Sequence, residues 1–157
     1  MTVTSKYILL AYLLSLRDYS ESLTPKDKEN LNEFAKEFRA YPQEWESHVE
    51  PFLMAKIAEN PQLNQLFTTY KDKLNQSDKI PLDLLPNLDS FYQLEKTLNS
   101  NPLQQARSEI PNLPDDTTPE GQAELLNNFA ILISESEQPE NTANQLTWLD
   151  KLKQWLS

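Results

Sequence analysis

The chain has 157 residues, enough for one domain with a substantial core, and its 24 acidic and 14 basic side chains give a net charge of −10. It contains no cysteine, one histidine and one glycine. That excludes disulfides, thiolate catalysis, sulfur-ligated metals, multi-imidazole metal sites and glycine-rich phosphate loops. The acid excess disfavours direct contact with nucleic acid or anionic lipid, which needs Lys and Arg.

Eleven prolines punctuate the chain. Six of them (Pro25, Pro42, Pro51, Pro61, Pro119 and Pro139) stand before apolar residues at helical spacing. That is where a fixed φ and a missing N–H suit the first helical turn. The first helix is predicted over about 4–19, apolar on nearly every side at Ile8, Leu9, Ala11, Tyr12, Leu13 and Leu16, and therefore buried. Its apolar run is too short to span a bilayer, and no small-residue cleavage site follows it. The second helix starts at the cap Thr24, with Pro25 inside it and Asp27 at the capping-box position. Leu31, Phe34, Ala35 and Phe38 form its stripe.

From Pro42 to Asn60 the residues Trp45, His48, Val49, Phe52, Leu53 and Ile57 recur at helical spacing. Pro51 interrupts them, so either two short helices meet at Glu50 or one helix kinks there. Asn60-Pro61 opens a helix bearing Leu63, Leu66, Phe67, Tyr70 and Leu74. A short helical turn is expected over 80–86, and a helix capped by Asn87 carries Leu88, Phe91, Leu94 and Leu98. Periodicity is lost over 99–118, with Pro102, Pro111, Pro114 and the Asp115-Asp116 pair, so this stretch is expected to be an irregular linker and a candidate hinge. Two helices follow, over 119–137 and 139–157. No alternating strand pattern or hairpin turn occurs.

The predicted fold is all-α: a single compact bundle of about six to eight helices with one long irregular connection. Residues 1–98 form the helical core, 99–118 the linker, and 119–157 an acidic C-terminal helix pair packing on the core. Residues 1–78 carry a charge of −3 and residues 79–157 a charge of −7. Between Arg107 and Lys151 there are nine acids and no base.

Catalytic and metal-binding patterns are scarce. No EF-hand frame surrounds Gly121, no nucleophile elbow is present, and no Glu-x-x-His pair exists for a di-iron bundle. Glu44 lies four residues before His48, on one helical face; the pair has the elements of a proton-transfer couple but is read as a helix-surface or half-buried histidine near a carboxylate and an aromatic ring. Asp115-Asp116, with Glu109 and Glu120, is read as a solvated acidic loop. No catalytic residue, metal ligand or cofactor is assigned. The sharpest functional signal is Trp148, Leu152 and Trp155, which share one helical face at the spacing of groove-binding anchors, although Leu146, Leu149 and Leu156 broaden the stripe in a way that equally suits a helix closing the chain's own bundle.

The chain is therefore expected to be a non-enzymatic protein–protein interaction module, an adaptor or regulatory partner with an acidic, aromatic-bearing helical surface. Its partner would be another protein with a basic surface. Neither nucleic acid nor membrane is expected as a direct partner, and a homodimer is compatible with the pattern. The first alternative is an acidic mimic of nucleic acid that inhibits a basic nucleic-acid-binding protein. The second is a small enzyme working with carboxylates alone. A cysteine-free acidic chain fits the cytoplasm.

Overall fold

A computed structural model of the chain describes residues 3–19, 23–41, 43–77, 80, 84, 90, 94, 119–136, 139–144 and 146–156. Among these residues there are seven α-helices, one π-helical turn and no strand. The helices are α1 (Val3–Asp18), α2 (Pro25–Ala40), α3 (Glu50–Ala58), α4 (Pro61–Gln76), α5 (Pro119–Glu135), α6 (Pro139–Asn144) and α7 (Thr147–Leu156). The π-helical turn, Trp45–Val49, leads directly into α3.

The composition of α1 dictates its place. Every residue from Ile8 to Leu16 is buried, because a helix apolar on nearly every side has little face to give to water. Helices α4, α5, α6 and α7 all pack on α1, while α2 packs on α5 and α3. Full burial of each leucine is worth about 1.5–3 kcal/mol relative to exposure. One polar pair lies in this centre. The Tyr12 hydroxyl and Ser134 Oγ lie 2.6 Å apart and join α1 to α5. Ser15 satisfies its own hydroxyl locally by donating to the Tyr12 carbonyl at 2.6 Å.

Proline opens five helices: α2, α3 and α4 carry it in the first turn, and α5 and α6 begin with it. Pro42 lies outside the described residues. The capping box of α2 is complete: Thr24 Oγ1 accepts from the Asp27 amide at 3.1 Å, and Asp27 Oδ2 accepts from the Thr24 amide at 3.2 Å. Asn60 caps α4 by accepting from the Leu63 amide at 3.2 Å. No described residue has a positive φ, so the turns dispense with the conformation that glycine supplies most readily.

The interruption at Pro51 is resolved by a widened turn. The Val49 amide reaches the Glu44 carbonyl at 3.0 Å, and the Glu50 amide reaches the Trp45 carbonyl. Both are five-residue spacings. In a regular helix the Pro51 ring would crowd the Ser47 carbonyl four residues earlier. The π-helical turn accommodates the proline before α-helical geometry resumes at Glu50.

The C-terminal segment departs from its sequence pattern. One helix is expected over 139–157, but the chain forms α6 and α7 with a break between them. The Asn-Thr-Ala-Asn sequence that ends α6 is weakly helix-forming. The Leu146 amide then closes a tight three-residue turn on the Ala143 carbonyl at 3.2 Å. The break leaves both Ala143 and Leu146 buried. Of the elements expected over 80–98, Ile80 is buried, Leu84 is half-buried in a 3₁₀ turn, and Ser90 and Leu94 are helical. The linker and hinge expected over 99–118 lie outside the described residues.

Candidate functional site

The tryptophan helix faces inward. Trp148 is 5% exposed and Leu152 fully buried, while Trp155 is half-buried against the same core. The Trp148 ring meets the Phe129 ring edge-on, with centroids 5.5 Å apart at 74°. Its indole Nε1 is buried and has no partner among the described residues. In this conformation the face read as groove anchors is held by the chain's own helices.

An ionic cluster holds α7 to α1. Arg17, in the last turn of α1, donates Nη1 to Asp18 Oδ1 at 2.7 Å and Nη2 to Asp150 of α7. Asp18 also accepts from the Tyr70 hydroxyl of α4 and lies 3.1 Å from Lys153 Nζ of α7. Burial raises the Asp18 carboxyl. The bonds from Tyr70 and Lys153 and the nearby Lys153 and Arg17 charges outweigh that effect and hold it below the usual carboxylate range. The Tyr70 phenol is pushed well up by burial and by its bond to Asp18. Charges of both signs alternate through this cluster, and the geometry joins α1, α4 and α7.

A second cluster lies on the outer face of α2, the π-helical turn and α3. Its centre is Tyr41, which at 45% is the one exposed large hydrophobic side chain among the described residues. The Tyr41 ring stands edge-on to His48, centroids 4.8 Å apart at 68°. The next ring, Phe52, is 6.5 Å from His48. Two cross-helix pairs flank this ladder: His48 Nε2 lies 2.7 Å from Glu37 Oε2, and Lys56 Nζ lies 3.0 Å from Glu33 Oε2. Lys56 also sits over the Phe52 ring, 5.2 Å from its centroid.

The ladder corrects one sequence-based expectation. His48 pairs with Glu37 of α2, not with Glu44. An α-helix would stack Glu44 under His48, but the five-residue π-helical turn rotates that register and sends the imidazole across to α2. Sequence spacing gave no sign of Tyr41, because its contact with His48 depends on that turn.

Carboxylates recur along this face. Glu29, Glu33 and Glu37 follow one another at four-residue intervals on α2, and Glu44 and Glu46 flank the turn. The hydrogen bond from Lys56 to Glu33 holds the Lys56 ammonium above its ordinary range against a smaller opposing effect of burial. The charges of Glu33, Glu59 and Glu29 raise it further. Burial and the Glu46 charge push the Glu50 carboxyl up, with Lys71 opposing them.

The acidic C-terminal half is largely engaged internally where it is described. Glu135 takes a two-point bond from Arg39, at 2.6 and 2.9 Å. Glu140 is buried and accepts from the Leu23 amide at 2.7 Å. Asp150 pairs with Arg17, while Glu124 is exposed. Asp115, Asp116 and Glu109 lie outside the described residues, as does the Glu120 side chain. Among the described residues no three His, Asp or Glu side chains group in a way that could hold a metal ion. No helix among them is long and apolar enough to cross a membrane.

No protein-family model, no curated protein and no solved structure matches the chain.

Proposed function

We propose that this protein is a non-enzymatic interaction module, an adaptor or regulatory partner, and that its contact surface is the acidic, aromatic-bearing face of α2, the π-helical turn and α3. One observation carries this proposal. The exposed large hydrophobic side chain of the described surface, Tyr41, stands against the chain's single histidine, which is itself bonded to Glu37. An isolated aromatic residue at a surface is ordinary. A tyrosine supported by a neighbouring ring, with exposed glutamates close to it in the chain, has the form of an anchor with a polar rim.

The partner is a protein with a basic surface. Complementary charge would speed its encounter and select against acidic competitors. Glu33 and Glu37 are engaged by Lys56 and His48, which interrupts the charge row on α2. An adaptor surface therefore suits this face better than phosphate mimicry, which needs an unbroken row. The test is capture of proteins from lysate by the full chain at low and at high salt, beside a Tyr41→Ala variant. Salt-sensitive capture that the variant loses supports the assignment. Capture that is indifferent to both salt and Tyr41 contradicts it.

A further inference from the structure

The chain shows on its own surface how this face holds a cation. Lys56 Nζ is 5.2 Å from the centre of the Phe52 ring and 3.0 Å from Glu33 Oε2, so one ammonium is shared between an aromatic face and a carboxylate. Lys73 repeats the aromatic half of this arrangement, 5.6 Å from the centre of the Tyr70 ring. Such contacts are favourable because the electron-rich ring face attracts positive charge. Tyr41, His48 and Phe52 continue as a single ladder from the Lys56 position.

The far end of the ladder is another aromatic ring. Tyr41 is 45% exposed, and no cation is seated on its ring among the described residues. Backbone bonds fix two glutamates beside it in the chain. The Tyr41 amide donates to the Glu37 carbonyl at 2.9 Å, and the Glu44 amide donates to the Tyr41 carbonyl at 3.1 Å. Glu46 follows in the π-helical turn and is exposed. His48 supports the ring edge-on, and its Nε2 is bonded to Glu37. The nearby Arg39 has its guanidinium bonded to Glu135.

We infer that the exposed Tyr41 ring, in a segment that also carries the exposed Glu44 and Glu46, receives a lysine or arginine side chain from a basic segment of the partner protein, repeating in trans what Lys56 does in cis on Phe52. This rests on the interaction role proposed above and specifies its recognition chemistry. The His48–Glu37 pair steadies the ring. The exposed Glu44 and Glu46 attract the cation, and the tyrosine face seats it. Neutral segments of the same shape gain neither attraction.

The test uses the full chain, uniformly labelled with nitrogen-15, titrated with a capped Gly-Lys-Gly-Arg-Gly-Lys peptide at low and physiological salt. A second peptide replaces lysine by norleucine and arginine by citrulline. Expected are amide shifts concentrated over 37–49 for the basic peptide and none for the neutral one. Tyr41→Leu, which keeps apolar bulk but removes the ring, is expected to weaken binding about two- to fivefold, while Tyr41→Phe retains it. The same spectra report whether each variant is folded. Shifts on other acidic surfaces, or shifts over 37–49 that survive Tyr41→Leu, overturn the inference and leave a basic partner standing. No shift anywhere at low salt overturns the inference together with the basic partner.

Discussion

Alanine replacements along α7 distinguish a core helix from a free anchor. Trp148 is 5% exposed, packs edge-on against Phe129, and belongs to the same buried cluster as Leu149 and Leu152. Trp148→Ala removes the largest of these side chains and leaves a cavity, at a cost of about 3–5 kcal/mol; Leu152→Ala costs about 2–5 kcal/mol. Trp155 is only half-buried, so Trp155→Ala should cost about 1–2 kcal/mol. For a chain of this size each kcal/mol lowers Tm by about 2–4 °C, so Trp148→Ala should melt about 6–20 °C below the wild type. Trp148→Phe should cost much less than Trp148→Ala. It keeps an aromatic ring against Phe129 and removes a buried N–H that has no partner among the described residues, itself a liability of about 1–3 kcal/mol. Urea unfolding followed by circular dichroism measures all four variants. Equal midpoints for Trp148→Ala and wild type, or a larger loss at Trp155 than at Trp148, would refute the placement of α7.

The Asp18 cluster gives a pH dependence with a definite sign. Its folded carboxyl is held below the ordinary range, so its stabilisation is complete above about pH 4 and is lost as pH falls through the depressed value. Asp18→Asn should therefore lower stability by about 1–3 kcal/mol at pH 7 and by much less near pH 2, as read by urea midpoints across that range; an equal loss at both pH values would contradict the cluster. Tyr12 and Tyr70 act at the other end of the scale. Burial raises both phenols, with the Asp18 bond adding to the effect at Tyr70. The unfolded chain thus ionises first above about pH 10, and stability should fall from there upward. Tyr12→Phe should reduce that alkaline loss. At pH 7 it should cost about 1–2 kcal/mol by leaving Ser134 without its partner, whereas Ser134→Ala together with Tyr12→Phe should cost less than the two single variants summed.

The fold was legible wherever local chemistry and burial point the same way. The nearly all-apolar circumference of α1 leaves only a central position, and the Thr24–Pro25–Asp27 sequence builds its cap from neighbours alone. Two features were not legible, for different reasons. The break between α6 and α7 interrupts an apolar pattern that a single helix also satisfies, and the weak helix formers Asn141 to Asn144 are a smaller signal than that pattern. The π-helical turn reflects the steric demand of Pro51, which spacing rules based on a regular helix do not carry. That turn decides the candidate site. It sends His48 to Glu37 and places it against Tyr41, a residue with no periodic signature of its own. The tryptophan face was visible in sequence as an amphipathic stripe, but a stripe looks the same whether it meets a partner or the chain's own core.

The interaction face can be tested most directly by placing a photo-crosslinking benzoylphenylalanine at position 41 in one sample and at position 155 in another, and irradiating each in lysate at low and at high salt. Expected is a discrete adduct to a basic protein from position 41, lost at high salt, with none from position 155. Adducts from position 155 that persist in high salt, with none from position 41, would contradict the assignment and return the contact to α7.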